Sequence, residues 1–519
     1  MVKPNSSAAD SHFLIPVIPF TEAVMSYGKG SYLYDVDRKK YLDLNAGQFC
    51  AALGHSNPAI LDAVYSSISG LAHTSTSIIS EEVISCSANI HRISGDMKAS
   101  CILLSTGAEV VEFCMRYAKH ITKREGIICF DRGYHGLTLG AQSVTYGGVY
   151  ATPSVRGVHF IPVPVIPVPG STGASTDVSV DAYPATAIDD SIAHLEAIMK
   201  NGGIAAVLFE PIVSVGGMLF PPAEWFKKVR VLCDRYDVLL VLDECQTGFG
   251  RTGEWFAYQS FGFVPDMVAT AKGIGLGFPV AVAMFREALI PDDKKCYDMT
   301  HYSSHQNDPF AAAVVNVGID YMERHNILCG IREKGEYFLR KLTDLERSND
   351  HIVSARGCGL MLGAELSFKF KNGRERDSDS DRDSDSNYGS SNDNVSNNDR
   401  GSYSDRDSDS NYGSSNDNVS DSDRGSYSDS GRDSYNDNVS DNVSNNGNDG
   451  YNVIGNDYKR DYRVIYNNLY KRMLADGVII QGTNGGRTLR FLPDYLIGLN
   501  DIDYAVETLD QALRSMSLK

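Results

Sequence analysis

Nowhere does the sequence hold an apolar run of about eighteen residues, the length a helix needs to cross a bilayer, so no membrane partner is expected. Also missing is the Cys-x-x-Cys spacing of redox and zinc-knuckle sites: the ten cysteines stand at 50, 86, 101, 114, 129, 233, 245, 296, 329 and 358. Cys101, Cys129 and Cys233 fall inside apolar runs, where a reduced thiol serves as a small core side chain. Disulfides are therefore not expected, and this usage suits a reducing compartment. The amino end, MVKPNSSAADSHFLIPVIPF, breaks its one apolar run with Pro16 and Pro19. It lacks the apolar core of a secretory signal and the arginine-rich pattern of a transit peptide, so a cytoplasmic location is expected. Positive charge is short as well: 48 Lys+Arg face 66 Asp+Glu, a formal charge of −18, which leaves no footprint for nucleic acid. Much of that excess is local. From Lys371 to Gly450 there are 19 Asp+Glu against 8 Lys+Arg, so the rest of the chain is only mildly acidic.

At 519 residues the chain can bury a large core and hold more than one domain. Its centre of gravity is the stretch 238–253, VLLVLDECQTGFGRTG. The run Val238–Leu242 reads as a strand buried on both faces of a parallel sheet, and it ends on Asp243, Glu244 and Gln246 before a glycine-rich turn. Ligands of open α/β sheets bind at the carboxyl ends of strands, which makes Asp243 a site candidate, although an aspartate there also caps turns. A second strand-like run, Met267–Ala271, ends on Lys272 and continues Gly273-Ile274-Gly275-Leu276-Gly277. A carboxylate and an amine at the ends of neighbouring buried strands suit pyridoxal 5'-phosphate. That cofactor needs a lysine for covalent attachment and an acid to keep its ring nitrogen protonated.

Taken with their spacing, DECQTGFGRTG (243–253) and ATAKGIG (269–275) resemble the signature of the class III (subgroup II) pyridoxal-phosphate aminotransferases, most closely the 2,2-dialkylglycine decarboxylase branch. The resemblance covers nearly the whole chain except one insert. It implies a fold-type I transferase of the α/β class, with a mainly parallel sheet in the large domain and a smaller α+β carboxyl-terminal domain. Residues 1–50 would form an arm with a hairpin, 51–315 the large domain and 316–519 the small one. The resemblance also assigns roles. Lys272 would carry the cofactor and then act as general base, Asp243 would hold the ring nitrogen protonated, and Gln246 would touch the phenolic oxygen. Thr106, Gly107 and Ala108 would cradle the phosphate, at a strand-to-helix turn whose free amides suit an anion. Tyr134 would stack on the ring, where the dialkylglycine branch often has Trp. Gln48 would stand beside the substrate carboxylate, and Arg490, in Thr488-Leu489-Arg490-Phe491-Leu492-Pro493, would grip it through a bidentate fork. Ser304, in His301-Tyr302-Ser303-Ser304-His305, matches a loop that the family donates across a dimer interface, which implies a homodimer or a dimer of dimers.

Departures are local. Val110-Val111 replace small or polar residues, so helix packing there is expected to differ, and the glutamate Glu210 is followed by Val213-Ser214-Val215-Gly216-Gly217 rather than a QGEGG-like run. His301 and His305 stand four apart without the glutamate of HExxH, so no metal is expected. A dinucleotide site is excluded because Phe278 stands where GxGxxG needs glycine. Between about 371 and 458 the chain is Ser, Asp, Asn, Gly and Tyr, with RDSDSNYGSSNDNVS beginning at Arg382 and again at Arg406. These repeats have no apolar face to stack, so the insert is expected to be a disordered surface loop of the small domain. The leading reading is transamination between an amino acid or amine and a 2-oxo acid. A decarboxylating transaminase or an epimerase on the same scaffold comes second, and an inactive interaction scaffold third.

Overall fold

The computed structural model describes residue 21 and residues 23–145, 155–164, 187–290, 299, 301–368 and 457–516. The insert expected over 371–458 lies outside the described residues up to 456, as do residues 1–20 of the arm.

A seven-stranded sheet forms the frame, in the order Ser100–Leu104, Ala281–Phe285, Met267–Thr270, Leu239–Asp243, Ile204–Phe209, Gly126–Phe130, Val158–Ile161. Only Ala281–Phe285 runs against its two neighbours. The others are parallel, as short apolar runs bounded by turns imply. Because side chains alternate along a strand, each strand feeds two cores. Phe130, Phe209 and Leu242 join the core that holds Trp225, Phe226, Val229 and Leu232 of the helix Ala223–Tyr236. Cys129, Leu208 and Val241 join the core of the helix Gly107–Thr122. Phe130 stacks on Phe209 with centroids 4.2 Å apart, and Trp225 meets both rings. Val110 and Val111 are fully buried in the second core, so the departure at these positions is met by apolar packing.

In the hairpin Tyr32–Asp35 with Lys40–Asp43 the strands pair antiparallel, and the strand Met25–Lys29 joins on one side. On the other side Val478–Ile479, from late in the chain, pairs parallel to Leu42–Asp43. A third, antiparallel sheet runs Ile352–Cys358, Met361–Leu366, Thr488–Phe491, Gln481–Thr483 and packs on the helix Ile327–Ser348. It places Arg490 on a fully buried strand. The nine cysteines among the described residues are all free. No helix among these residues is long and apolar enough to cross a membrane.

Candidate active site

Asp243 is the last residue of its strand and lies in register with Ala269, three positions before Lys272. The carboxylate and the amine therefore leave adjacent strands at one edge of the sheet. Lys272 itself has φ 52°, in the left-handed region, and opens a short 3₁₀ turn, Lys272–Gly275. A side-chain-bearing residue held there is costly unless its surroundings impose it, and such positions cluster at functional sites.

Asp243 is buried. Its Oδ2 accepts from His135 Nδ1 at 2.7 Å and its Oδ1 from the amide of Cys245 at 3.0 Å. Burial is the largest influence and favours the neutral acid. The hydrogen bond and charge of His135, the charge of Lys272 and a hydrogen bond with the Cys245 side chain outweigh it, holding the carboxyl below the usual carboxylate range. His135 was not singled out by the sequence reading. Its one signal is adjacency to Tyr134, in the order Asp131-Arg132-Gly133-Tyr134-His135-Gly136. The imidazole is fully buried, and its Nε2 finds no hydrogen-bond partner among the described residues. Gly136 keeps this loop close to the helix Gly107–Thr122. It has φ 120°, and a Cβ there would stand 2.6 Å from that of Ala108.

Thr106 caps that helix. Its Oγ1 accepts the Glu109 amide at 3.3 Å, while Glu109 Oε2 reaches back to the Ser105 amide at 2.9 Å. The first-turn amides of Gly107 and Ala108 have no acceptor within the helix, as at any helix start. Gln246 is buried in the turn after Asp243, and its Oε1 finds no partner among the described residues.

A second group gathers around the turn after Ile204–Phe209. Glu210 is buried, its Oε1 accepting the Tyr134 amide at 2.8 Å and its Oε2 the Ser214 amide at 3.4 Å. Burial pushes its carboxyl up to about 7, with Asp243 adding to the rise and His135 and the two amides opposing it. Arg490 donates from Nη1 to Ser214 Oγ at 3.1 Å, and its guanidinium sits 5.1 Å from the centre of the Phe49 ring. Burial raises the Tyr134 phenol against the opposing charge of Arg490. Tyr134, Glu210, Ser214 and Arg490 thus form one connected patch, in which Ser214 is a member the sequence reading passed over.

Two further candidates are exposed in the single chain. Gln48 is exposed at φ 66°, within four successive left-handed residues, Ala46 to Phe49, whose turn packs against Lys272–Gly275. Ser304 is exposed on the loop His301–Asp308, which Asn307 ties to the backbone of Leu103. The two histidines of that loop part company: His301 lies edge-on to Phe113, and His305 turns to Asp308.

The sequence model of the family described as aminotransferase class III matches residues 18–377. An acetylornithine aminotransferase of Methanosarcina mazei is 33% identical over 360 residues, covering 69% of this chain and 83% of the relative. The chain belongs to the class III aminotransferase family. A 5-aminovalerate aminotransferase of Pseudomonas putida is 30% identical over 65% of the chain and 77% of its own length. Among solved structures, a transaminase of the marine bacterium Virgibacillus superposes with a TM-score of 0.72 over 98% of both chains at 19% identity, which bears on the fold alone. The expected fold-type I architecture is the one found. The protein is a pyridoxal-phosphate-dependent aminotransferase. Its residues suit the cofactor: a buried acid kept ionised for a protonated ring nitrogen, a strand-end lysine, a capped helix start for the phosphate, and a buried amide oxygen at Gln246 left for a ligand.

Proposed function

We propose that this aminotransferase works at the cluster of Lys272, Asp243 and His135, with Arg490 receiving the carboxylate of an amino acid or 2-oxo acid. The register that places Asp243 and Lys272 on adjacent strand ends carries the reading. Pyridoxal phosphate supplies an electron sink for a carbanion at the substrate's Cα. Lys272 would hold the cofactor at rest, and its amine would serve as the base that takes and returns the proton at the substrate's Cα. Asp243 keeps the ring nitrogen protonated, and His135, hydrogen-bonded to Oδ2, holds the carboxylate ionised and aimed. Thr106, Gly107 and Ala108 bind the phosphate, Tyr134 covers the ring face, and Gln246 contacts the phenolic oxygen. Ser304 reaches the phosphate of a second copy in a homodimer. The exposed ring of Tyr302, two residues before Ser304 and 77% exposed, supports that assembly.

A second reading rests on the strained turn of Gln48 beside Lys272. The two readings differ in which bond at Cα the surrounding residues would present to the cofactor's electron sink. A substrate carboxylate gripped by Arg490 would leave the Cα–H bond as the one to react and would favour amino transfer. A carboxylate turned toward Gln48 and Lys272 would instead favour loss of CO₂, as the resemblance to the dialkylglycine decarboxylase branch implies. The relatives at 33% and 30% identity are named for amino transfer, which favours the first outcome. A product screen over amino acids, ω-amines and dialkylglycines, measuring keto acid and CO₂ together, separates them. Keto acid without CO₂ from an α-amino acid is expected, and stoichiometric CO₂ from every productive donor contradicts it.

A further inference from the structure

Asp308 heads the helix Pro309–Arg324, and its Oδ1 accepts the Phe310 amide at 2.9 Å, an ordinary cap. The other oxygen is used differently. Oδ2 lies 2.5 Å from His73 Nδ1 and 2.9 Å from His305 Nδ1, so two imidazoles from separate loops converge on one atom of one carboxylate. The three ligand-type atoms all lie within 4.8 Å of one another. Asp308 is buried at 5% exposure, whereas the two imidazole side chains are open to solvent at 51% and 66%. None of the three belongs to the cluster around Asp243 and Lys272.

We propose that His73, His305 and Asp308 form a binding site for a divalent first-row transition cation of the zinc and nickel class. Two imidazole nitrogens and one carboxylate oxygen are a donor set suited to these ions. Magnesium and calcium instead collect oxygens. Three protein ligands leave a fourth position for water. An ion at bond lengths of about 2.0–2.1 Å spaces its ligand atoms roughly 3.3 Å apart, so the two contacts need only open by several tenths of an ångström. Each ring binds as neutral imidazole, with its proton carried on Nε2 and Nδ1 turned from hydrogen-bond donor to ligand. The partial positive charge of the helix start opposes a cation, and the full charge of Asp308 outweighs it. The cap to Phe310 fixes the carboxylate from behind, as outer partners do in metal sites. His305 is the residue after Ser304, so an ion here would clasp that loop to the segment carrying His73.

The test is isothermal titration of the tag-free, chelator-treated holoenzyme with Ni²⁺, using cofactor absorbance to show that each variant is folded. One ion per chain is expected, with at least a tenfold loss of affinity in His73→Gln and in His305→Gln. Asp308→Asn, which retains a capping oxygen, is expected to weaken binding likewise, and Mg²⁺ is expected to give no saturable heat. Absence of a stoichiometric Ni²⁺ site in the parent protein overturns the proposal. So does parental affinity in both histidine variants, which would leave the cluster as a hydrogen-bonded clasp.

Discussion

Asp243 divides its carboxylate between His135 and the Cys245 amide, and each contact favours the ionised form. Replacing Asp243 with Asn keeps the volume and removes the charge. A fall in kcat of at least about a hundredfold is expected, on the scale of losing one preorganised electrostatic partner. Lys272→Ala is expected to lose catalysis by roughly 10²–10⁴-fold. Borohydride reduction of the parent holoenzyme should then fix the cofactor on Lys272, and a reduced cofactor found on another lysine would refute the assignment. Glu210 makes a prediction of opposite electrostatic sign. Its folded pKa of about 7 lies above the unfolded value of about 4.3, so between these values the folded chain retains a proton that the unfolded chain has released. Stability therefore falls as pH rises through that window, by on the order of 1–3 kcal/mol from this group. Glu210→Gln should flatten that part of the profile in denaturation midpoints measured at pH 5 and pH 7, and an unchanged slope would argue against the buried neutral acid. Residue-level legibility was uneven. Asp243 and Lys272 stand out because a charged side chain ending an apolar run has few structural excuses. His135 and Ser214 do not, because a histidine after a tyrosine or a serine in a turn acquires meaning only through its spatial neighbours.

The helix Gly107–Thr122 shows how one element serves packing and chemistry together. Its apolar side fills the second core, while its start presents amides and the Thr106 cap toward the proposed phosphate site. Thr106→Ala should cost about 1 kcal/mol of apoprotein stability through the lost cap and should also weaken cofactor binding. Thr106→Ser should preserve both, as read by denaturation and by equilibrium dialysis with pyridoxal phosphate. A Thr106→Ala variant that loses stability while keeping parental cofactor affinity would confine the residue to capping. Elements of this kind were readable in advance. The apolar runs Val238–Leu242 and Met267–Ala271 become the strands Leu239–Asp243 and Met267–Thr270, each within a residue of where its pattern ends. What the pattern could not carry was pairing between distant segments. Val478–Ile479 is a short apolar run, and nothing local says that it lies along Leu42–Asp43. The strand Met267–Thr270 stops before Ala271, and backbone geometry rather than composition makes Lys272 the start of a turn.

For the whole molecule, the decisive feature is that the sequence between 371 and 456 contributes none of the residues gathered at the proposed site, while both flanks are anchored. On one side Met361–Leu366 is a fully buried strand paired with Thr488–Phe491. On the other, Leu469 and Met473 of the helix Asp457–Ala475 sit in the main core. The family match ends at residue 377, just inside this stretch. Its repeated polar blocks offer no apolar surface to offset the entropy of ordering. The entropic cost of closing a loop grows only with the logarithm of its length, by about 0.6 kcal/mol per doubling, so an eightfold shortening should return only about 2 kcal/mol. Replacing residues 375–455 with a short Gly/Ser linker is therefore expected to leave cofactor content and kcat within about a factor of two of the parent and to raise the denaturation midpoint slightly. A linker variant that retains its cofactor and loses turnover would give the insert a part in covering the substrate. Loss of cofactor content as well would show that the flanks depend on it for their geometry.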